Sequence, residues 1–130
     1  MDSTFKSVFD LLKHRVPGVS ALFIVGPDGE LVEHAANDSH FEMESFAVEY
    51  AMLLRIARRA SEDAGTGDVA EHIIVSDNAV IVARRLSSDH FAIAVSTAQE
   101  QLGRLRYELK RTAWKLDRLL SLGRSESRTA

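Results

Sequence analysis

Apolar residues along this chain recur first every three or four positions, then in short unbroken runs, and the switches between the two spacings predict its elements. Phe5, Val8, Phe9, Leu11 and Leu12 repeat at helical spacing behind a cap at Asp2 or Ser3, and Pro17-Gly18 ends that first helix. Val19 to Val25 follows as a nearly continuous apolar strand. Gly26-Pro27-Asp28-Gly29 supplies turn chemistry, and Glu30 to Ala35 runs back with alternating polarity, so the first strand reads as central and the second as an edge. A polar connection, in which Asp38 or Ser39 can act as a cap, leads to a long helix from Phe41 to Ala60. Its acids Glu42 and Glu44 come early and its Arg55, Arg58 and Arg59 late, an order that suits the helix dipole. The segment Glu62 to Asp68 breaks it. Three strands follow, Ala70 to Ser76, Ala79 to Leu86 and Phe91 to Ser96, joined by hairpin connections at Asp77-Asn78 and Ser87-Ser88-Asp89-His90. A last helix begins near Ala98 and sets Leu102, Leu105, Leu109, Thr112, Leu116 and Leu119 at 3-4-3-4-3 spacing. This series reads as core and not as a coiled-coil seam, because it covers fewer heptads than a coiled coil needs.

Runs such as Val80-Ile81-Val82-Ala83 and Phe91-Ala92-Ile93-Ala94-Val95 are apolar on both alternating faces, so the sheet they form must be covered by helices on each side. The expected fold is a three-layer α/β sandwich: a five-stranded antiparallel sheet with helices on both faces, in the order α-β-β-α-β-β-β-α. Residues 1–122 make one domain, and 123–130 read as a disordered tail.

The long helix has two apolar sides. Met43, Phe46, Ala47, Tyr50, Leu53, Leu54 and Ala57 form a broad stripe of the kind that lies on a core. Phe41, Val48, Met52 and Ile56 cluster within roughly 80° of one another on the reverse side, where a lone domain places charges. This helix therefore reads as a docking surface.

Composition narrows the function. The chain has 130 residues, 45% of them hydrophobic, enough for one compact core. Sixteen basic residues stand against 19 acidic ones, for a net charge of −3, and this balance gives no excess to favour a phosphate backbone or an anionic membrane. The chain holds no cysteine, which excludes thiolate catalysis and disulfides and suits a reducing interior. No apolar run is long enough for a membrane span, and the first residues lack the basic and then apolar regions of a signal peptide, so the expected location is cytoplasmic.

Candidate chemistry is sparse. His14, His34, His40, His72 and His90 share no metal-ligand spacing, so no metal site is expected. Asp38-Ser39-His40 holds the letters of a triad, yet neighbours in sequence cannot form a relay that needs separate elements. The glycine turns at Gly26 to Gly29 and Gly65 to Gly67 fit no phosphate-binding pattern, and neither a bound nucleotide nor another cofactor is expected. Arg104, Arg106, Lys110, Arg111, Lys115 and Arg118, interspersed with Glu108 and Asp117 and preceded by Glu100, read as a solvated face braced by ion pairs. Tyr107 and Trp114 on that helix read as core or rim packing in preference to stacking platforms for nucleic acid. No catalytic residue is assigned, and the chain reads as a non-enzyme.

Val16-Pro17-Gly18-Val19 before an apolar strand, Gly26-Pro27-Asp28-Gly29 after it, the helical run Phe46 to Leu54, and the hairpin from Val80 to Val95 together resemble the roadblock/LC7 family over roughly residues 4–118. The resemblance implies a homodimer whose long helices pack across a two-fold axis, with third strands meeting edge to edge. Phe41, Val48, Met52, Ile56 and, on the third strand, Ile74 would then form the dimer interface. Bacterial members similar to the gliding-motility polarity regulators bind a small Ras-like GTPase and act as GTPase-activating dimers, whereas other members are scaffolds. The expected function is thus a homodimeric GTPase regulator or scaffold, with Ser45, Glu49, Arg55 and Arg59 near the partner surface. By the same resemblance it would reposition the GTPase's own residues and supply no arginine finger. The alternative is a small-molecule sensor of PAS or profilin-like type, since a five-stranded antiparallel sheet with flanking helices also makes a ligand cup.

Overall fold

The computed structural model describes residues 4–37 and 42–129, apart from the side chains at 88 and 123–129. Its elements are α1 (Phe5–Arg15), β1 (Val19–Val25), β2 (Leu31–Ala36), α2 (Met43–Asp63), β3 (Glu71–Val75), β4 (Val80–Arg85), β5 (Phe91–Ser96) and α3 (Leu102–Thr129), with short 3₁₀ turns at Ser87–Asp89 and Gln99–Gln101. The predicted order of elements is the observed one.

Local chemistry sets the boundaries. The Thr4 hydroxyl accepts the Ser7 backbone N–H at 3.2 Å and so caps α1; the expected caps Asp2 and Ser3 lie outside the described residues. At Gly18, φ is +91° and an added Cβ would stand 2.5 Å from the Ala98 Cβ, so the contact between these two connections requires a glycine. Helix α2 starts at Met43, with Glu42 as a cap residue that makes no side-chain bond, and extends three residues beyond the predicted end. Nothing between Ala60 and Asp63 opposes a helix, and the chain turns only at Gly65, whose φ is +75°. Asp38, Ser39 and Phe41 lie outside the described residues. In α3 the backbone stays helical past Gly123, across positions for which the sequence suggests a frayed tail.

The sheet is antiparallel throughout, with strand order β2-β1-β5-β4-β3. One face carries Leu22, Ile24, Val80, Val82, Ala92 and Ala94, packed under α1 and α3 through Phe9, Leu12, Leu105, Leu109 and Leu116. The other carries Phe23, Val25, Ala83, Ile93 and Val95, covered by Ala47, Tyr50 and Leu54 of α2. Phe46 meets Phe23 edge to face at 5.2 Å. The layers are those of the expected sandwich, and the leucine series of α3 is core: Leu105, Leu109 and Leu116 are fully buried. Within the sheet, β2 pairs only with β1 and β3 only with β4, which leaves two edges.

Candidate interaction surface

Helix α2 buries an arc centred on Ala47, Tyr50, Ala51 and Leu54. Leu53, expected in that arc, is 39% exposed, and Ala51 takes its place. The β1–β2 turn accounts for the shift. It is closed by the Gly29 N–H donating to the Gly26 carbonyl, and it presses Gly29 against the helix, with its Cβ position 3.3 Å from the Val48 Cα and 3.5 Å from the Ala51 Cβ. The covered arc therefore moves toward Ala51 and away from Leu53.

The reverse side of α2 is open. Val48, Met52 and Ile56 are exposed, Met52 by 56% and Ile56 by 66%, on the line the sequence pattern assigns to them. Phe41, the fourth member of that line, lies outside the described residues. Ile74 is on β3 and is half-buried against the α2-side core, while the neighbouring Val75 is 63% exposed at the same sheet edge. Ser45 and Glu49 are exposed beside the apolar stripe, and Arg55 and Arg59 flank it on its other margin.

The arginines differ in what holds them. The Arg55 Nη2 donates to the Pro27 carbonyl at 3.1 Å, tying α2 to the β1–β2 turn. Arg58 is half-buried and donates two bonds of 2.8 Å to the two carboxylate oxygens of Asp68 and a third, of 2.9 Å, to Asp89. Its guanidinium also lies over the Phe91 ring, and Arg85 joins the cluster through Asp68 at 3.0 Å. Hydrogen bonds from Arg58 hold the Asp68 carboxyl down to about 2, and hydrogen bonds to Asp68 and Asp89 push the Arg58 guanidinium above its usual range. Asp89 sits at φ +62°, a left-handed conformation that Asp tolerates better than most residues. Arg58 thus ties the end of α2 to the loop before β3 and to the β4–β5 connection. Proximity on α2 groups it with Arg55 and Arg59, but its bonds to loop carboxylates are ones that the sequence spacing gives no sign of.

An open groove of about 450 Å³ runs along this end of α2, lined by Pro27, Asp28, Arg55, Arg59, Glu62 and Asp89 among others. Between sheet and helices, by contrast, buried apolar side chains pack into one cluster on each face of the sheet. Among the described residues no buried polar side-chain atom lacks a hydrogen-bond partner. A ligand cup needs converging polar groups that wait for an occupant, and the buried polar side-chain atoms of the described residues are already partnered. The part-buried polar pair under α2, the Tyr50 hydroxyl and His72 Nδ1 at 2.8 Å, is already joined. Burial raises the Tyr50 hydroxyl and lowers the His72 imidazole from their ordinary values.

The fold and this surface define an antiparallel α/β sandwich in which the outer face of α2 and the neighbouring β3 edge are both uncovered. The chain belongs to the Roadblock/LC7 domain family, whose match covers residues 5–97. Among solved structures it is similar to Myxococcus xanthus MglB, at 16% identity and a TM-score of 0.79 over 88% of this chain and 86% of that one. It is similar to a Roadblock/LC7 domain from Streptomyces avermitilis, at 18% identity and a TM-score of 0.78 over 88% and 96%. It also resembles MglC from Myxococcus xanthus, at 31% identity and a TM-score of 0.61 over 89% and 98%. No curated protein matches the chain. Among the described residues no helix is long and apolar enough to cross a membrane.

Proposed function

We propose that this protein is a homodimeric regulator or scaffold of a small Ras-like GTPase, paired through the outer face of α2 and the β3 edge, with no catalytic group of its own. The exposed line Val48, Met52 and Ile56, on a chain of this family, carries the reading. Full burial of each such side chain stabilises by roughly 1.5–3 kcal/mol. Since all three are already partly covered, two stripes meeting contribute roughly 5–10 kcal/mol, against an association cost of about 4–15 kcal/mol. The stripes alone lie near break-even, so the free β3 edge with Ile74 and Val75 is the natural second contribution, through backbone pairing and further apolar burial.

Ser45, Glu49, Arg55 and Arg59 lie beside the stripe, where a GTPase resting across two α2 helices can reach them. Arg58 is committed to Asp68 and Asp89, and Arg55 is anchored on Pro27. Neither is free to act as a finger without breaking those bonds. In keeping with the family resemblance, we assign stimulation of GTP hydrolysis to repositioning of the GTPase's own residues, with the charge of Arg55 and Arg59 serving binding. Affinity capture from the native cell with a non-hydrolysable GTP analogue should return a nucleotide-dependent Ras-like partner. Turnover at saturating dimer should fall by less than about tenfold for Arg55→Ala or Arg59→Ala, whereas loss of a finger costs about 10³ to 10⁵. Absence of any nucleotide-dependent partner, or a thousandfold collapse from one of these substitutions, overturns the reading.

A further inference from the structure

The outer face of α3 takes no part in the core or in the α2 stripe. The sequence suggests a solvated helix face braced by ion pairs, but the fold uses its acids elsewhere. Glu108 is 5% exposed and faces Arg15 of α1 at 3.4 Å, reaching Arg111 only at 3.8 Å. Asp117 accepts both the backbone N–H and the hydroxyl of Ser87. Arg104 donates to the Arg15 carbonyl and makes no ion pair with Glu100, while Arg106 is held by Glu71 of β3 at 2.7 Å. Among the described residues, Arg104, Lys110, Lys115 and Arg118 have no carboxylate partner.

The aromatic residues of α3 are also outside the core. Tyr107 and Trp114 are each 60% exposed, and Leu122 is exposed about two turns beyond Trp114. Arg104, Tyr107, Arg111, Trp114 and Arg118 follow one another at 3-4-3-4 spacing along a single line about 21 Å long. The Arg111 guanidinium lies 5.7 Å from the Tyr107 ring centre and the Lys115 ammonium 5.7 Å from that of Trp114. A protein of net charge −3 thus gathers on one helix face exposed amphipathic rings and a group of cations of which Arg104, Lys110, Lys115 and Arg118 have no carboxylate partner among the described residues.

We infer that the outer face of α3 docks on an anionic lipid bilayer. Indole and phenol rings favour the headgroup level of a membrane, and neighbouring Lys and Arg side chains reach lipid phosphates and carboxylates from the same depth. Each such cation near a negatively charged leaflet strengthens binding by about fivefold. A nucleic acid, in contrast, is favoured by a basic excess over the domain, and this chain carries a net charge of −3. Because α2 and α3 lie on opposite sides of the sheet, α3 can rest on a membrane while the α2 stripe stays occupied. The inference rests on α3 alone and does not depend on pairing or on a GTPase.

Trp114 is the chain's single tryptophan and reports directly on the contact. The full chain should co-sediment with vesicles containing about 30% phosphatidylserine in phosphatidylcholine, with a blue shift of Trp114 emission, and not with phosphatidylcholine alone. Binding should fade as salt approaches about 0.5 M, where screening shortens the reach of the charges. The triple variant Lys110→Glu/Lys115→Glu/Arg118→Glu, all at solvent-facing or half-exposed positions, should bind about a hundredfold more weakly with an unchanged circular dichroism spectrum. Trp114→Ala should weaken binding while leaving its salt dependence intact. Met52→Glu/Ile56→Glu, aimed at the other face, should still bind. The proposal is overturned by any of three results: no co-sedimentation with the anionic vesicles, binding without movement of the tryptophan emission, or tighter binding to a single-stranded oligonucleotide or to polyglutamate than to the vesicles.

Discussion

Helices α2 and α3 cover opposite faces of one sheet, and each turns a second, developed face to solvent. On α2 that face is apolar, with Val48, Met52 and Ile56 uncovered; on α3 it is cationic and aromatic, with Lys110, Trp114 and Arg118 uncovered. The first could be seen in the sequence because apolar side chains opposite a core stripe have no solvated role that explains them as a group. The second could not, because charges at helical spacing are the ordinary dress of an exposed face. It arises because Glu108 is buried against Arg15 and Asp117 is bound to Ser87. A charged helix is braced or bare according to where its acids point, and their direction is a tertiary property.

The contrast between the two faces of α2 itself gives the largest test. In a Met52→Glu background, where pairing makes no contribution, Leu54→Ala should destabilise the fold by about 2–5 kcal/mol, because it opens a cavity beneath a side chain that is nearly fully buried. Ile56→Ala in the same background should change it by less than about 0.5 kcal/mol. Urea denaturation followed by circular dichroism measures both. Equal costs would mean that Ile56 is covered within the single chain.

Next in size is the assembly itself. Met52→Glu/Ile56→Glu should convert a dimer into a monomer at micromolar concentration while leaving secondary structure intact, as read by sedimentation velocity. The α3 triple variant should leave the dimer unchanged. If reversal of the α3 charges dissociated the dimer instead, the roles assigned to the two faces would be exchanged.

A smaller effect comes from the cluster that fastens the end of α2. The Asp68 carboxyl is held at about 2, below its ordinary 3.8, so it binds protons less readily in the folded chain than in the unfolded one. Its contribution is complete above about pH 4 and is lost as the pH falls toward 2. Asp68→Asn should remove that part of the acid dependence and cost about 1 kcal/mol at neutral pH. Thermal melts of both proteins between pH 2 and pH 7 decide it.

The smallest effect belongs to His72. Burial lowers its imidazole, and a neutral ring with an unprotonated Nδ1 can accept the Tyr50 hydroxyl at 2.8 Å. Since the unfolded chain takes up the proton first, stability is complete above the ordinary value of 6.5 and declines as the pH falls below it toward the lowered folded value. His72→Gln should flatten the melting curve in that window.

Patterning alone determined the order of elements, the apolar character of both sheet faces, the core series of α3 and the second stripe of α2. Each of these depends on which residues recur at a fixed spacing, and spacing is a property of the chain. Tertiary structure decided the rest: that Ala51 and not Leu53 is covered, since a turn from elsewhere presses on that side of the helix; that Arg58 is fixed by Asp68 and Asp89, which lie on two separate loops; and that the α3 acids face inward or sideways, so Arg104, Lys110, Lys115 and Arg118 have no carboxylate partner among the described residues. The physical reason is common to all three. Hydrophobic burial is non-directional and follows the periodicity of one element, whereas each of these contacts exists only once segments distant in the chain have been brought together by the fold.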